Sequence, residues 1–273
     1  MPSQHQRISR ADPEPGEGRR RRRAGSTGPG VIGAAVAAAL LIAGCSGGTP
    51  QGQGAATAPA HARIAGPPAG TTPARTWLVA VAHVPAVHLY RTPQAAGSPS
   101  VFPGRSPLGV PAVFLVRQDD GAWLDVYVAR RPDGSAAWIS SSEVSLEKDR
   151  YTVLVSLSRH SLTVLDGSRV LVRTPAATGK PATPTPPGTY FITELLRQPD
   201  PAGAYGPYAY GLSAFSPVLF RFGGGPGQIG LHGTNEPASI GKAVSHGCIR
   251  VPNAVIERLA RELPLGTPVV IAS

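Results

Sequence analysis

The sequence predicts a mainly β protein made of two successive β units, with a single helix near the C-terminus. Three observations predict this fold class. Gly (33) and Pro (30) are abundant and aromatic residues are sparse, which favours tight turns over long helices. From residue 76 onward, short apolar segments alternate with turn signals. Only the segment 253–263 has its apolar residues at helical spacing.

The first 44 residues have the pattern of an export signal. The run of arginines Arg19–Arg23 precedes an apolar stretch over 31–43. That stretch is too short to cross about 30 Å of hydrocarbon as a helix, but it has the length of a signal-peptide core. It ends in Leu-Ile-Ala-Gly-Cys at 41–45, which resembles a bacterial lipobox. The resemblance implies cleavage before Cys45 and lipidation of that cysteine; the alternative is an ordinary secretory signal in which Cys45 is incidental.

Charge argues against a nucleic-acid-binding protein. Cleavage before Cys45 removes seven of the 26 basic and three of the 16 acidic residues, leaving 19 and 13, so the net charge falls from +10 to +6. The densest basic cluster belongs to the signal, and no basic run recurs downstream. A modest positive charge instead suits a protein that works beside an anionic envelope polymer.

Residues 45–75 are rich in Gly, Ala, Thr, Pro and Gln and predict a flexible linker. The next segment, 76–149, contains short strand candidates and two turn signals, at 119–121 and 131–134, which predict a small β-barrel. Its pattern of Trp123-Leu124, Arg-Pro-Asp-Gly at 131–134 and Trp138-Ile139 resembles bacterial SH3-like modules. We expect Trp123, Tyr127 and Trp138 to form the barrel core; the alternative is a ligand-binding surface.

The segment 150–273 predicts a second β unit. Asp166-Gly167 indicates a hairpin over 161–172. Further strands are expected at 151–157, 190–195, 228–231 and 267–271, with a proline-rich loop over 183–190. Residues 199–217 lack a regular period and predict a long Gly/Tyr loop, either a functional lid or a plain surface loop. Asn253 is expected to cap the helix.

The chemistry concentrates between His232 and Arg250. Cys248 lies close in sequence to His246, and the strand at 228–231 delivers His232. If Cys45 is lipidated, no second cysteine is left to form a disulfide with Cys248. A thiol needs a nearby base to act as a nucleophile, so we predict that Cys248 is catalytic. The alternatives are an inert buried thiol and a zinc site formed by both histidines and the cysteine.

The motifs His232-Gly233-Thr234 and Ser-His-Gly-Cys-Ile-Arg at 245–250 resemble the active-site signature of the L,D-transpeptidase (YkuD-type) family. The loop at 183–190 and the closing segment 266–271 match it as well. The resemblance implies a β-sandwich catalytic domain over 150–273 that acts on peptidoglycan stem peptides. Such an enzyme cleaves a donor tetrapeptide after its third residue and transfers the acyl group to an acceptor amine, which forms a 3-3 type cross-link. No metal or other cofactor is needed.

Carried over by position, the resemblance makes Cys248 the nucleophile and His232 its base. The carbonyl of Gly233 would orient the imidazole, and the backbone N–H groups of Gly247 and Cys248 would form an oxyanion hole. His246 would position substrate or assist the thiolate, and the sequence leaves open which histidine is the base. The residues expected at the substrate are Arg250, Ser245, Tyr205, Tyr208 and Tyr210, and Ser245 is also expected to be a structural or hydrogen-bonding support.

The predicted location is the extracytoplasmic cell envelope, with a lipid anchor in the membrane and no nucleic-acid partner. Three alternatives to the cross-linking activity stay open: an L,D-carboxypeptidase, a transferase that attaches protein to the wall, and a wall-binding module without catalysis.

Overall fold

A computed structural model describes residues 9–10, 76–94 and 97–273, and these are mainly β-strand, as predicted. The only α-helix in these ranges is α1 (Asn253–Glu262), and there are 3-10 turns at Ser141–Glu143 and Pro237–Ser239. No helix in the part of the chain so described is long and apolar enough to cross a membrane. The predicted signal peptide (1–44), Cys45 and the linker (45–75) lie outside the described residues, except for the strand β1 (Ser9–Arg10).

The segment 76–149 forms a five-stranded antiparallel sheet and a two-stranded ribbon. The sheet order is β7-β6-β5-β2-β8, and β3 pairs with β4. The strands are β2 (Trp77–Ala82), β3 (Ala86–Leu89), β4 (Ser100–Pro103), β5 (Val113–Asp119), β6 (Trp123–Tyr127), β7 (Ala136–Ser140) and β8 (Val144–Asp149). The likeness of this half to SH3 modules stays a prediction.

The core of this half is formed by aliphatic side chains and Phe114, not by the three aromatics expected there. On β6, Leu124 and Val126 are fully buried, whereas Trp123 and Tyr127 point to the other face and are half-buried. Trp138 on β7 is also half-buried. The prediction that these aromatics form the core is wrong, because strand alternation gives the interior to the smaller residues between them.

The segment 150–273 is organised around a curled sheet with the order β11-β10-β9-β18-β13-β14-β15-β17, and β1 pairs with β13. The strands are β9 (Tyr151–Ser156), β10 (Ser161–Asp166), β11 (Arg169–Pro175), β12 (Thr178–Gly179), β13 (Gly188–Arg197), β14 (Tyr208–Phe215), β15 (Gln228–His232), β16 (Ala243–Ser245), β17 (Ile249–Arg250) and β18 (Pro268–Ala272). The short strands β12 and β16 pair separately. The hairpin predicted over 161–172 is formed by β10 and β11.

One predicted loop is partly a strand. Residues 199–217 were expected to be irregular, but Tyr208–Phe215 is β14, which lies between β13 and β15. Residues on both faces of β14 are buried, so its sequence lacks the polar alternation of a surface strand. The irregular parts of the predicted loop are residues 199–207 and 216–217.

Helix α1 packs its apolar stripe onto this sheet. Ile256, Leu259 and Leu263 are fully buried in the second core, as the helical spacing predicts. On the exposed side, Arg258 Nε lies 3.0 Å from Glu262 Oε1, an i,i+4 ion pair.

The two halves share a small apolar contact. Phe191 on β13 is fully buried against Val79, Val113 and Leu115 of the first half. Thr267 Oγ1 donates to Asp149 Oδ2 at 2.6 Å across the same junction. The first half therefore packs directly against the sheet that carries the candidate site.

Candidate active site

Two parallel strands bring the cysteine and one histidine together. His232 ends β15, and Cys248 immediately precedes β17, with Leu231 opposite Ile249. This register sets Gly230 beside Cys248, and the Gly230 N–H donates to Cys248 Sγ at 3.3 Å. A hydrogen bond donated to sulfur stabilises a thiolate more than a thiol.

Cys248 and His232 line one open cavity of about 310 Å³. Its walls come from β13, β14, β15, the 199–207 segment and the loop over 216–227. The lining residues are Glu194, Leu196, Gln198, Tyr205, Ala209, Tyr210, Gly211, Phe222, Gly223, Gly225, Pro226, Gln228, Ile229, Gly230, His232 and Cys248.

The His232 ring is held in one tautomer. Its Nδ1 lies 2.6 Å from the carbonyl oxygen of Gly233, the contact that the resemblance implies. Because a carbonyl only accepts, Nδ1 carries the proton and Nε2 has a lone pair. A methyl group on Gly230 would lie 3.6 Å from His232 Cδ2 and 3.7 Å from Cys248 Sγ, so the Cδ2–Nε2 edge and the sulfur approach the same point.

His232 is neutral at pH 7. The side chain is almost wholly buried, and burial lowers the pKa of His232 to about 4; the Arg250 charge adds to this and the Gly233 carbonyl opposes it. The Tyr205 ring lies edge-on to the imidazole, with the centroids 4.8 Å apart. An unprotonated imidazole in this position can accept a proton.

Asn253 positions the loop that follows His232. Its Oδ1 accepts the Thr234 N–H at 2.7 Å, and a methyl group on Gly233 would lie 2.3 Å from that oxygen. The prediction that Asn253 caps α1 is wrong: Pro252 is the N-cap residue, and no side chain bonds to the first turn. The Asn253 side-chain amide instead contacts the loop His232-Gly233-Thr234, because the start of α1 packs directly against that loop.

The residues 245–248, here called the cysteine turn, are fixed from two sides. Ser245 Oγ donates to Cys248 O at 2.6 Å and accepts the Gly247 N–H at 3.0 Å. From the proline-rich loop, Thr183 Oγ1 donates to Ser245 O at 3.0 Å and Thr185 Oγ1 donates to Gly247 O at 2.7 Å. Ser245 is 1% exposed and holds the turn, which is the supporting role expected from the sequence; a contact between its side chain and substrate stays a prediction.

Gly247 has a positive φ angle and little space for a side chain, so glycine suits this position. Its φ of 120° is disfavoured for L side chains, and a methyl group there would lie 3.0 Å from Ile229 Cδ1. Its N–H, however, donates to Ser245 Oγ. The predicted oxyanion-hole role of Gly247 therefore conflicts with this geometry, because the donor is already engaged inside the turn.

His246 lies outside the cavity. Its side chain is exposed and its ring stacks on Phe222, with the centroids 5.3 Å apart and the planes 28° apart. Of the two histidines left open by the sequence, His232 therefore shares the cavity with Cys248, and His246 supports an aromatic residue at its rim.

Arg250 does not face the cavity. Its Nη1 lies 2.7 Å from Glu236 Oε2, and its side chain is 17% exposed. The predicted bond to a substrate carboxylate is not supported, because the guanidinium already pairs with a carboxylate of the protein.

The three tyrosines have three different environments. Tyr205 is in the cavity against His232. Tyr208 packs its ring against the second core, and its carbonyl accepts the Gly233 N–H at 3.3 Å. Tyr210 is fully buried, and its hydroxyl donates to Leu259 O at 2.7 Å. The predicted substrate contact is therefore wrong for the hydroxyl of Tyr210, which lies in the core.

The loop over 216–227, here called the glycine-rich loop, is held by the first half of the chain. Arg131 Nη1 donates to Ser216 O at 2.8 Å, and Nη2 donates to Pro226 O at 3.1 Å and Leu219 O at 3.3 Å. The same guanidinium lies over the rings of Phe215 and Phe220. Asp133 Oδ1 accepts the Phe215 N–H at 3.0 Å.

Sequence reasoning missed Glu194, Arg131 and the role of Asn253. Glu194 had a signal, a charged residue inside the apolar strand 190–195 that lines the cavity. Arg131 was recognised only as part of a turn, since nothing local indicates its contacts more than 80 residues away. Among the described residues, no group of three or more His, Cys, Asp and Glu side chains is arranged to hold a metal ion.

Comparison with known proteins agrees with this geometry. The YkuD family model, described as the L,D-transpeptidase catalytic domain, matches residues 150–271. The Bacillus subtilis protein YkuD, named as an L,D-transpeptidase, is 41% identical over 121 residues, which are 44% of this chain and 65% of that protein. YqjB of the same organism, also named as an L,D-transpeptidase, is 33% identical over 143 residues, which are 47% of this chain and 74% of that protein.

Among solved structures, an L,D-transpeptidase from Mycobacterium smegmatis is 18% identical, with a TM-score of 0.38 over 59% of this chain and 90% of that chain. Membership of a family is therefore shown by the family model and the curated relatives, and not by this structural likeness. The chain spans 65% of the length of the first two relatives. Through the domain that spans 150–271, the chain belongs to the L,D-transpeptidase family.

Proposed function

We propose that this protein is a peptidoglycan L,D-transpeptidase that forms 3-3 type cross-links through a thioester on Cys248. The observation that carries the proposal is that Cys248 Sγ and the Cδ2 edge of His232 both lie within 4 Å of the space above Gly230, while Gly233 O holds the other ring nitrogen. A nucleophile, a neutral base and a group that orients the base are the parts that thiol acyl transfer needs.

In the first step, His232 Nε2 takes the proton of the Cys248 thiol. The thiolate attacks the carbonyl carbon of the donor's third residue, the C–N bond to D-alanine breaks, and the imidazolium gives its proton to the leaving amine. Gly233 O holds Nδ1–H throughout, and the Gly230 N–H supports the sulfur while it is negative.

In the second step, an acceptor amine attacks the thioester carbon. His232 takes a proton from the attacking amine, a new amide forms, and the sulfur leaves as a thiolate that is reprotonated. The product is a stem peptide joined through its third residue to an amine of a second stem. Release to water instead of an amine would make the protein an L,D-carboxypeptidase, and an amine on a protein would make it a wall-attaching transferase.

The remaining parts of the proposal concern delivery. Residues 1–44 are a signal peptide, Cys45 carries the lipid, and 45–75 is the linker, so the enzyme works extracytoplasmically at the cell envelope. Residues 76–149 are an SH3-like module and 150–273 the catalytic domain. The separate apolar core within 76–149 supports that division, and the contact through Phe191 supports close packing of the two.

The test is intact-protein mass after incubation with a carbapenem, a β-lactam class that the family resemblance implies will acylate the thiol. We expect one adduct on the wild type and none on Cys248→Ala. An identical adduct on Cys248→Ala, or no adduct on folded wild type, contradicts the nucleophile assignment. Product analysis with purified stem peptides then separates transfer to an amine from transfer to water; a folded chain that binds wall polymer without turnover would indicate the non-catalytic alternative.

A further inference from the structure

Glu194 and Cys248 lie on one row across the sheet. Glu194 on β13 is opposite Gly211 on β14, and Gly211 is opposite Gly230 on β15. Gly230 in turn contacts Cys248 through its N–H. The row therefore reads carboxylate, glycine, glycine, thiol, and all four residues line the same cavity.

The two glycines leave the space between the carboxylate and the sulfur bare. A methyl group on Gly211 would lie 2.7 Å from Glu194 Oε1, so the carboxylate extends over Gly211 towards β15. A methyl group on Gly230 would lie 3.7 Å from Cys248 Sγ. Because directly opposed Cβ positions are at most about 5.5 Å apart, the carboxylate and the sulfur are separated by no more than about 12 Å.

Among the residues that line this cavity, Glu194 is the only Asp, Glu, Lys or Arg. His232 is neutral at pH 7, and Arg250 is paired with Glu236. Burial alone raises the pKa of Glu194; no neighbouring charge or hydrogen bond in the described part of the chain offsets it. The nearby amide Nε2 of Gln228 donates instead to Leu212 O at 2.8 Å and Thr193 Oγ1 at 3.0 Å.

A half-buried carboxylate without a compensating charge favours a cationic ligand group, because pairing offsets its desolvation. The substrate carbonyl must sit at Cys248, and an ammonium bound to Glu194 would lie about 2.8 Å from the carboxylate oxygen. A long diamino-acid side chain, extended over the two glycines, bridges these points.

We propose that Glu194 is a specificity residue that binds the side-chain ammonium of the donor residue whose carbonyl Cys248 attacks. This inference rests on the proposed function and adds to it the residue of this chain that recognises the third residue of the donor stem. Glu194 is no part of the bond-making step; it orients the acyl group through its side chain.

The experiment compares two donor tetrapeptides, one with a diamino acid at the third position and one with norleucine, which has no ammonium. For the wild type we expect kcat/KM to be about tenfold to a hundredfold higher with the diamino donor. Glu194→Gln should lose this preference and leave the norleucine donor within about twofold of wild type. The exposed Glu257→Gln on α1 is the matched control and should keep the preference.

Acylation by a penem that lacks an amine separates this inference from the proposed function. Glu194→Gln should still form that adduct, which shows that its site is folded and its thiol is reactive. The inference is overturned if Glu194→Gln slows both donors equally, keeps the preference, or changes only the dependence on acceptor amine. If the wild type reacts with neither penem nor donor, the proposed function fails first.

Discussion

The cavity has two walls that are stabilised in different ways. The cysteine turn is fixed by buried hydrogen bonds from its own Ser245 and from Thr183 and Thr185 of the proline-rich loop. The glycine-rich loop is instead held by Arg131, which belongs to the other half of the chain. The wall that carries the nucleophile is therefore specified within 150–273, whereas the opposite wall depends on a residue of 76–149. Reactivity and substrate fit should then respond to different mutations.

The largest expected effect concerns the base on the cysteine side. His232→Gln retains a donor for Gly233 O but removes the basic nitrogen, so we expect the rate of β-lactam acylation to fall about 10²- to 10⁴-fold. His246→Gln is the control, and because His246 is exposed outside the cavity its rate should stay within about fivefold of wild type. Stopped-flow or mass-resolved acylation measures both. A larger loss in His246→Gln would reverse the assignment of the base.

An intermediate effect is expected inside the cysteine turn. Ser245→Ala leaves the Gly247 N–H unpaired and frees Cys248 O, which should lower the free energy of unfolding by about 1–3 kcal/mol and slow acylation about tenfold. Ser168→Ala, in the exposed hairpin turn, is the control and should change neither. The prediction is contradicted if Ser245→Ala unfolds and reacts as the wild type does, as judged by chemical denaturation and acylation rate.

The smallest effect is expected on the opposite wall. Arg131→Ala removes three hydrogen bonds to the glycine-rich loop, so we expect KM for the donor peptide to rise about threefold to tenfold with kcat nearly unchanged. Arg130→Ala is a neighbouring control, since Arg130 contacts Ser100 of its own half. Steady-state kinetics measure both variants. Equal losses in kcat for the two variants, or an unchanged KM for Arg131→Ala, would contradict the prediction that the glycine-rich loop affects substrate fit and not reactivity.

The parts of this fold that the sequence predicts are those with local causes. Asp166-Gly167 predicts a hairpin, and the structure has one with a two-residue loop. The apolar stripe through Ile256 and Leu259 predicts the helix, and a short apolar run predicts the strand that ends at His232. Cys248 could be named because a catalytic thiol requires a base nearby, with His232 and His246 as the candidates; the choice of His232 came from the family resemblance.

The parts that were missed depend on contacts distant in sequence. Asn253 has the local pattern of a helix cap, but its amide is used by Thr234, which the fold places beside it. Arg250 likewise pairs with Glu236, a residue that the fold, and not the local sequence, places beside it. The strand Tyr208–Phe215 has no polar alternation because side chains on both of its faces are buried, which depends on distant elements such as helix α1 that pack on the sheet.

Gly211 and Gly230 bear on how this site could change. An alanine at Gly211 would place a methyl group against Glu194, and an alanine at Gly230 would place one near Cys248. Neither change would remove a reactive group of the cavity. The length of acyl group that the site admits is thus controlled separately from the chemistry that acts on it. Donor preference could then change by a substitution at Gly211 or at Gly230, with Cys248 and His232 unaltered.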